Sequence, residues 1–332
     1  MNDNSLVSIV MCCYNGSHFI DRSFNSILEQ TYPNIELIFI NDGSTDDSVV
    51  HAETYRVYFE KRGYQLHIFS QENQGLGYAS MNGVQKAEGE YLTYFDVDDY
   101  LMPDSILLKV DFLKTHPDYD VVRTNGYEVF EDDLDDKSRP LVKTDKEKKE
   151  SHIFKDLLFG YTNNWAGTYL IRLNPLKEFY QGKVMPGSKY GQNLQLLLPL
   201  TRSKKAGFID VPLMKYIRNN QSHTITNNSF EKRIELVRGY FDIRFIMLDL
   251  MEVVDRKILR NLNKRYFRTI LDICMELHER DSFNYYYTEL RRTIGNVDIE
   301  TKMDYASMNN RSILFFFYRI LFFISRKLSL NR

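Results

Sequence analysis

Short apolar runs alternate with segments of helical periodicity through the first 125 residues, and this alternation constrains the fold of the chain most. Five runs have the length and composition of buried strands: 6–11, 35–40, 66–70, 91–96 and 120–125. Between them, apolar side chains recur at the spacing of amphipathic helices. Strands that alternate with helices form βαβ units, so the sequence predicts an α/β fold with a mixed, mostly parallel sheet.

Polar residues cluster where three of the predicted strands end. Asn15 follows the first strand, Asp42 follows the second, and Asp96 closes the fourth. Ligands of parallel α/β sheets bind beyond the carboxyl ends of the strands. We therefore expect one functional site at this edge of the sheet.

The composition indicates a globular protein and excludes several classes. A net charge of −2 argues against a general nucleic-acid binder, which would carry a basic stripe. The cysteines, Cys12, Cys13 and Cys274, have neither zinc-site nor CxxC spacing, which favours a reduced, cytoplasmic chain. The start of the sequence lacks the pattern of a signal peptide, and no run of about 18 uncharged apolar residues predicts a membrane-spanning helix.

The stretch EYLTYFDVDDY at residues 90–100 places three carboxylates, Asp96, Asp98 and Asp99, after an aromatic strand. In extended backbone residues i and i+2 point the same way, so Asp96 and Asp98 are expected to converge. Unpaired, they would repel and raise each other's pKa, and a divalent cation such as Mg²⁺ or Mn²⁺ removes that cost. An acidic helix start is the simpler interpretation, but it explains Asp99 and not Asp96.

Three classes of protein use such carboxylates. The first is a sugar-nucleotide transferase. The second is a haloacid-dehalogenase-type phosphohydrolase, although Tyr100 occupies the Thr/Val place of its DxDx[TV] signature. The third is a dinucleotide-binding enzyme, for which GLGYAS at 75–80 nearly matches GxGxxG but has Ser80 in the last glycine place.

Two longer segments decide between these classes. Residues 8–48 contain a strand that ends in a YN turn, a Q-x-Y-x-N segment and the turn NDGSTD. Residues 73–83 read NQGLGYASMNG, which looks like an N-x-G-x-x-x-A-x-N-x-G segment, and DVDD follows at 96–99. In order and spacing they resemble family 2 glycosyltransferases over about the first hundred residues. The resemblance implies a GT-A fold, which is a Rossmann-like nucleotide-diphospho-sugar transferase architecture. It also implies a nucleotide-sugar donor, with a UDP-sugar favoured, and Mn²⁺ or Mg²⁺ as cofactor.

The resemblance assigns roles to residues at the strand ends. Asp42 would hydrogen-bond the nucleobase, Asp96 would face the ribose or the metal, and Asp98 would ligate the metal as the main catalytic group. The full set expected to bind the nucleotide-sugar is Cys13, Tyr14, Asn15, Asp42, Asn73, Gly75, Asp96, Gln192, Asn193 and Arg218. In the segment YIRNNQSHTIT, Arg218 could pair with a phosphate and His223 could be a third metal ligand.

A catalytic base is missing from its usual place. Members of the family commonly supply it from an acidic segment late in the fold, where this chain has Gln192 and Asn193, and amides cannot act as bases. The segment GQNLQ resembles bacterial capsule and cell-surface polysaccharide transferases that carry GQN-x-Q. Three alternatives stay open: a base among Glu128, Glu131 and Asp132, a retaining reaction, or a protein that binds a sugar-nucleotide without transferring it.

The remaining sequence suggests a second region and an acceptor. Residues 1–228 are expected to form the GT-A catalytic domain and residues 229–332 a helical C-terminal region. The basic and aromatic segment 311–332 is typical of a helix that lies in the plane of an anionic membrane, although it could also pack on the protein or form a homo-oligomer contact. We therefore expect a peripheral protein on the inner face of the cell membrane that extends a glycan or a lipid-linked oligosaccharide. Trp165 lies in a segment where an acceptor loop is plausible.

Overall fold

The computed structural model describes residues 5–190, 192–218 and 229–329. The chain divides into two compact units: Met1–Ser222 with Ile243–Met247, and His223–Asp242 with Leu248–Arg332. The first unit contains the sheet, and the second is helical.

Eight strands form one sheet. In chain order they are β1 (Val7–Cys13), β2 (Ile35–Asp42), β3 (Gln65–Gln71), β4 (Tyr91–Tyr94), β5 (Tyr100–Leu101), β6 (Val121–Phe130), β7 (Tyr169–Arg172) and β8 (Ala206–Arg218). Their order across the sheet is β3-β2-β1-β4-β7-β6-β8-β5. The pairs β2–β3, β1–β2, β1–β4 and β6–β8 are parallel, whereas β7 and β5 pair antiparallel with their neighbours. The predicted α/β fold with a mixed, mostly parallel sheet is confirmed.

Helices connect the strands of the first unit. They are α1 (Ile20–Leu28), α2 (Ser48–Thr54), α3 (Arg56–Arg62), α4 (Leu76–Gln85), α5 (Ser105–Thr115), α6 (Asp145–Lys149), α7 (Phe154–Phe159), α8 (Leu173–Tyr180) and α9 (Leu194–Thr201). The core forms because β2 is buried along its whole length and α1 turns one apolar face towards it. Phe24 of α1 meets Phe39 of β2 edge to face at 5.6 Å. A fully buried side chain of this size stabilises the fold by about 1.5–3 kcal/mol.

The second unit confirms the helical periodicity of the C-terminal sequence. Its elements are α10 (Phe230–Leu250), which also contributes residues to the first unit, α11 (Arg256–Glu276), α12 (Arg280–Ile294), α13 (Ile299–Met308) and α14 (Ser312–Ser329). Leu271, Phe283 and Leu290 are among the side chains of its own core. Asp255 and Asp298 cap α11 and α13, because each carboxylate accepts hydrogen bonds from backbone N–H groups of the first turn.

The last helix, α14, exposes a row of large apolar side chains. Ile313 is 87% exposed, and Phe316, Phe317 and Ile320 are each more than half exposed. Within the described residues, no helix combines the length and the apolar character needed to cross a membrane.

Candidate active site

The carboxyl ends of β1, β2 and β4 meet at one edge of the sheet, as the sequence predicts. Cys12 of β1 lies between the carboxylates that follow its two neighbouring strands. Its thiol has a pKa raised to about 12, mainly by burial and further by the charges of Asp96 and Asp42. The Cys12 sulfur lies 3.3 Å from the Ser80 hydroxyl of α4. Asp42 and Asp96 are therefore two sides of one site.

Asp96–Asp99 form a turn, which we call the carboxylate turn. β4 ends at Tyr94, and the Asp99 N–H donates to the Asp96 carbonyl at 3.3 Å. The expectation that Asp96 and Asp98 converge because both belong to an extended strand is wrong in its reason. The chain reverses there, so it is the turn that brings the two residues together. Their carboxylates do interact, because burial and then the charge of Asp98 raise the pKa of Asp96 to about 7.

Each carboxylate of the turn has its own surroundings. Asp96 Oδ1 accepts from Gln192 Nε2 at 3.2 Å, and buried Asp99 accepts from the Ile217 N–H of β8 at 2.9 Å. Burial raises the pKa of the Asp98 carboxyl, and the nearby Arg22 guanidinium partly offsets that effect. Arg22 also donates to the Asp98 carbonyl at 2.7 Å, which fixes the backbone of the turn.

The Asp96 and Asp98 carboxylates fit a divalent cation. Among the described residues, no basic side chain forms a salt bridge with either carboxylate. Two adjacent acidic groups with raised pKa values and no cationic side chain bonded to them are the surroundings that Mg²⁺ or Mn²⁺ would neutralise. The described part of the chain holds no cluster of three or more His, Cys, Asp or Glu side chains around such a point. His223 lies outside the described residues.

Asp42 accepts hydrogen bonds that hold the loop between β3 and α4 in place. Its Oδ1 accepts from Gln71 Nε2 at 2.8 Å and from the Gln74 N–H at 3.0 Å, and its Oδ2 accepts from the Gly75 N–H at 2.9 Å. Gly75 has a φ of +94°, and a Cβ there would lie 3.0 Å from the Lys189 Cα. Glycine is therefore required at this position by both conformation and space.

The turn after β1 is bonded to the turn after β2. Asn15 has a left-handed backbone with a φ of 53°, and its side-chain oxygen accepts from the Thr45 N–H at 2.8 Å. Cys13 is buried, whereas Tyr14 is 46% exposed. A Cβ on Gly16 would lie 3.2 Å from Val97, so this turn also packs against the carboxylate turn. Asn73 joins the same group, because its backbone N would lie 2.8 Å from a Cβ on Gly43.

The two amides at the usual place of the base have different surroundings. Gln192 is buried and contacts Asp96, as described above. Asn193 precedes α9, and its side-chain oxygen accepts from the Tyr169 hydroxyl of β7. Gln192 therefore contacts the carboxylate turn, whereas Asn193 joins the start of α9 to β7.

Two of the three acidic residues considered as alternative bases form ion pairs with arginines. Glu128 lies within β6 rather than after it, because that strand continues to Phe130, and it forms an ion pair with Arg218. Glu131 forms an ion pair with Arg22. Asp132 is exposed. Arg218, expected near a phosphate, is thus paired with a carboxylate in this structure.

Two charged residues that the structure places near the site, Arg22 and Lys109, were not identified from the sequence. Arg22 lies on α1 and joins the carboxylate turn to Glu131, a contact between positions 109 residues apart in the sequence. Lys109 of α5 is fully buried. Its position on the same helical face as Ile106, Val110 and Leu113 is a signal that could have identified it.

An aromatic pair lies near the carboxylate turn. Trp165 is 38% exposed and stacks on Tyr216 of β8, with ring centroids 5.4 Å apart and an interplanar angle of 9°. The negative charges of Asp99, Asp98 and Asp96 act on the Tyr216 hydroxyl and, after burial, contribute to a pKa raised to about 12.

Together the sheet and its strand-end site define the GT-A class of glycosyltransferase folds. Comparison with solved structures agrees: S. aureus TarS 1-349 in complex with UDP-GlcNAc superposes with a TM-score of 0.64 and 17% identity, over 94% of this chain and 91% of that one. The mannosyltransferase PcManGT from Pyrobaculum calidifontis, in complex with GDP-Man and Mn²⁺, gives 0.54 and 13%, over 95% and 82%. At these identities the likeness shows the fold.

Residues 8–178 match the model of glycosyl transferase family 2, and the chain belongs to this family. A putative glycosyltransferase, EpsH, of Bacillus subtilis is 32% identical over 167 residues, which are 50% of this chain and 46% of the relative. An uncharacterized glycosyltransferase of Rickettsia conorii is 37% identical over 129 residues, 39% of this chain and 20% of the relative. The chain therefore matches less than half the length of these two curated relatives.

Proposed function

We propose that this protein transfers a sugar from a nucleotide-diphospho-sugar, with a UDP-sugar favoured, to a hydroxyl group of a glycan. The bond between the anomeric carbon and the diphosphate oxygen breaks, and a bond to the acceptor oxygen forms. A nucleoside diphosphate leaves, and the acceptor hydroxyl loses its proton. The observation that carries this proposal is the carboxylate pair Asp96 and Asp98. The pair lies near Asp42 at the strand ends and forms no salt bridge with the described residues.

Asp96 and Asp98 would hold Mn²⁺ or Mg²⁺, with His223 as a further candidate ligand. When bound, the cation would stabilise negative charge on the departing diphosphate. The protein positions the donor around that point: Asp42 fixes the loop that contains Asn73 and Gly75, and Arg22 fixes the backbone of Asp98. Cys13, Tyr14 and Asn15 would close the nucleobase pocket, and Arg218 could exchange Glu128 for a phosphate.

No base is assigned, and the two amides have separate roles in the proposal. Gln192 donates to Asp96 and would bind donor oxygens at the same point, while Asn193 holds α9 through Tyr169. The segment GQNLQ supports a transferase of surface or capsule polysaccharide synthesis. NMR of the transfer product gives its anomeric configuration. Comparison with the configuration of the donor shows whether the reaction inverts or retains it.

The C-terminal region supports a peripheral membrane location. α14 exposes Ile313, Phe316 and Phe317 next to Arg311, which suits the surface of an anionic bilayer and a lipid-linked acceptor. Residues 1–228 would then be the catalytic domain and 229–332 the attachment region. Co-sedimentation with phosphatidylglycerol vesicles tests this: a double variant, Phe316→Ser with Phe317→Ser, should bind at least fivefold more weakly. Equal binding, or a dimer that the double variant converts to a monomer in solution, would contradict it.

A sugar-nucleotide-binding protein without transferase activity is the second candidate. The absence of a carboxylate at positions 192 and 193 favours it. A haloacid-dehalogenase-type phosphohydrolase has lost its support, because the chain belongs to glycosyl transferase family 2.

Release of nucleoside diphosphate from a panel of nucleotide-sugars separates these functions. The panel is incubated with the full chain in Mn²⁺, in Mg²⁺ and in EDTA, with and without a lipid-linked glycan fraction. We expect turnover of one donor that EDTA abolishes. Tight binding of a donor without turnover in any mixture would support the binding protein, and no interaction with any donor would contradict both.

A further inference from the structure

Two separate elements hold the aromatic pair Trp165–Tyr216 beside the carboxylate turn. The Gly167 N–H donates to the Tyr94 carbonyl at 2.6 Å, which ties the Trp165 turn to the residue where β4 ends. Tyr216 immediately precedes Ile217, whose N–H donates to the Asp99 carboxylate. The segments that carry the two rings are therefore bonded to the end of β4 and to Asp99 of the carboxylate turn.

The turn that carries Trp165 is tightly bonded. The Trp165 N–H donates to the Asn163 side chain at 2.8 Å, and the Thr168 hydroxyl donates to the Trp165 carbonyl at 2.6 Å. Gly167 completes the turn with a φ of +80°. These contacts fix the backbone of the turn, yet the indole remains partly exposed. A side chain that served only to pack the core would not be expected to stay exposed on so well-ordered a turn.

A buried lysine supports this turn by a hydrogen bond to its backbone. Lys109 of α5 is fully buried, and its Nζ donates to the Gly167 carbonyl at 2.6 Å. The surroundings of Gly167 are apolar, because a Cβ on this residue would lie within 3.4 Å of side-chain atoms of Phe95, Leu101 and Met214. A buried carbonyl without a donor is costly, and a buried amine is costly as well, so each group is tolerated because of the other. Burial lowers the pKa of Lys109 to about 7, and the amine is a donor in either protonation state.

We propose that the stacked rings of Trp165 and Tyr216 form the subsite for the acceptor's terminal sugar ring, and that Lys109 is a positioning residue that holds Trp165 in place through Gly167. This inference rests on the proposed function. The C–H face of a pyranose is apolar and packs on an aromatic face, while its hydroxyls remain free for the neighbouring carboxylate turn. The ligand class is thus a neutral hexose or N-acetylhexosamine unit at the end of a glycan.

Trp165 is the only tryptophan of the chain, so tryptophan emission, excited at a wavelength where tyrosine absorbs little, reports on the surroundings of this residue. The probes are the methyl glycosides of glucose, galactose, mannose and N-acetylglucosamine, titrated to 100 mM against the full chain in UDP and Mn²⁺. We expect a saturable change in Trp165 emission with at least one of them. If none produces a change, the inference is overturned.

UDP binding in Mn²⁺, measured by calorimetry, keeps the two levels of the proposal apart. Wild-type protein that binds UDP but responds to no glycoside would overturn the acceptor subsite and leave the proposed function standing. Wild-type protein that binds neither would overturn both.

Substitutions then test the two parts of the inference by transfer kinetics. Trp165→Ala should raise the acceptor KM at least tenfold with UDP affinity within twofold of wild type, and Trp165→Phe should recover most of the loss. Tyr285→Ala, which removes an exposed tyrosine of the second unit, is the matched control and should leave acceptor KM unchanged. A Trp165→Ala protein with wild-type acceptor KM would overturn the subsite.

Lys109→Met should shift the emission of Trp165 in the absence of ligand and raise acceptor KM at least fivefold, with kcat at saturating acceptor changed less than twofold. A purely structural role would not produce this split. Gly167→Ala, which strains the same turn and leaves the lysine intact, is the second variant and should give the same signature. If both variants bind UDP normally and retain wild-type emission and acceptor KM, Lys109 is not a positioning residue.

Discussion

The candidate site has a proposed donor side, at the carboxyl ends of β1, β2 and β4, and a proposed acceptor side, at Trp165 and Tyr216. The two are built on different principles. On the donor side, the turns after β1, β2 and β4 bond to one another through side chains at the strand ends, as Asn15 does with Thr45 and Asp42 with Gly75. On the acceptor side, Trp165 and Tyr216 depend on support from buried groups of other elements, such as Lys109. The donor side is therefore specified by short motifs, and the acceptor side by long-range packing.

Removal of the charge of Asp98, a proposed metal ligand, should give the largest effect, and we expect it to act on the donor side alone. Asp98→Asn should lower nucleoside diphosphate release at least about 100-fold, because interactions with the charge that develops on a leaving group are worth several kcal/mol. Asp118→Asn, at an exposed position of the loop after α5, is the matched control and should keep wild-type activity. Wild-type turnover by Asp98→Asn would show that this carboxylate does not ligate a metal.

Loss of Asp42 should damage the donor side as a structure as well as a binding site. Three donors, one side-chain amide and two backbone N–H groups, lose a charged acceptor in Asp42→Ala. Urea unfolding followed by Trp165 fluorescence should show a loss of about 2 kcal/mol or more, and UDP affinity should fall together with stability. Asp42→Asn retains one acceptor oxygen and should lose less. A stable Asp42→Ala protein with normal UDP affinity would remove Asp42 from the site.

The buried lysine predicts a pH dependence that belongs to the acceptor side. Burial lowers the pKa of Lys109 from its ordinary value of 10.5 to about 7 in the folded protein, so the unfolded chain binds more protons between those pH values. Wild-type stability should therefore rise relative to Lys109→Met as the pH increases above about 7. The slope is at most about 1.4 kcal/mol per pH unit. Urea midpoints of both proteins at pH 7.0, 8.0 and 9.0 measure it, and a pH-independent difference would contradict the buried, neutral amine.

The two amides should give the smallest effects, and effects of different kinds. Gln192→Ala removes one hydrogen bond to Asp96 and should lower kcat/KM severalfold, consistent with about 1 kcal/mol. Asn193→Ala removes the contact with Tyr169 and should lower the free energy of unfolding by a similar amount with less effect on turnover. If Asn193→Ala has the greater catalytic defect, the separation of roles between the two amides is wrong.

The same contrast explains what the sequence could and could not predict. The βαβ order, the strand ends and the cluster of Asn15, Asp42 and Asp96 are visible in the sequence, because each depends on local periodicity and on one rule about parallel sheets. The reversal at Asp96–Asp99 was not predicted, since the aromatic run YLTYF continues the strand pattern past the point where β4 ends. The pairing of Glu128 with Arg218 and of Glu131 with Arg22 depends on tertiary contacts that no spacing reveals.

The contacts of the proposed acceptor side and the exposed face of the helical unit could not be predicted from sequence patterns. Lys109 reads as one charge among apolar residues of an amphipathic helix, and only the structure shows that it reaches Gly167, 58 residues further along the chain. The helices α10–α14 follow from periodicity, but periodicity alone does not say which apolar face stays exposed, and α14 exposes Phe316 and Phe317.

UDP affinity with and without a divalent cation tests most directly whether Asp96 and Asp98 hold a metal that binds the diphosphate. Calorimetric titration of UDP into the full chain should show at least tenfold tighter binding in Mn²⁺ than in EDTA, and Asp98→Asn should remove most of that difference. Equal affinity in Mn²⁺, Mg²⁺ and EDTA would contradict a metal-dependent donor site at the carboxylate turn.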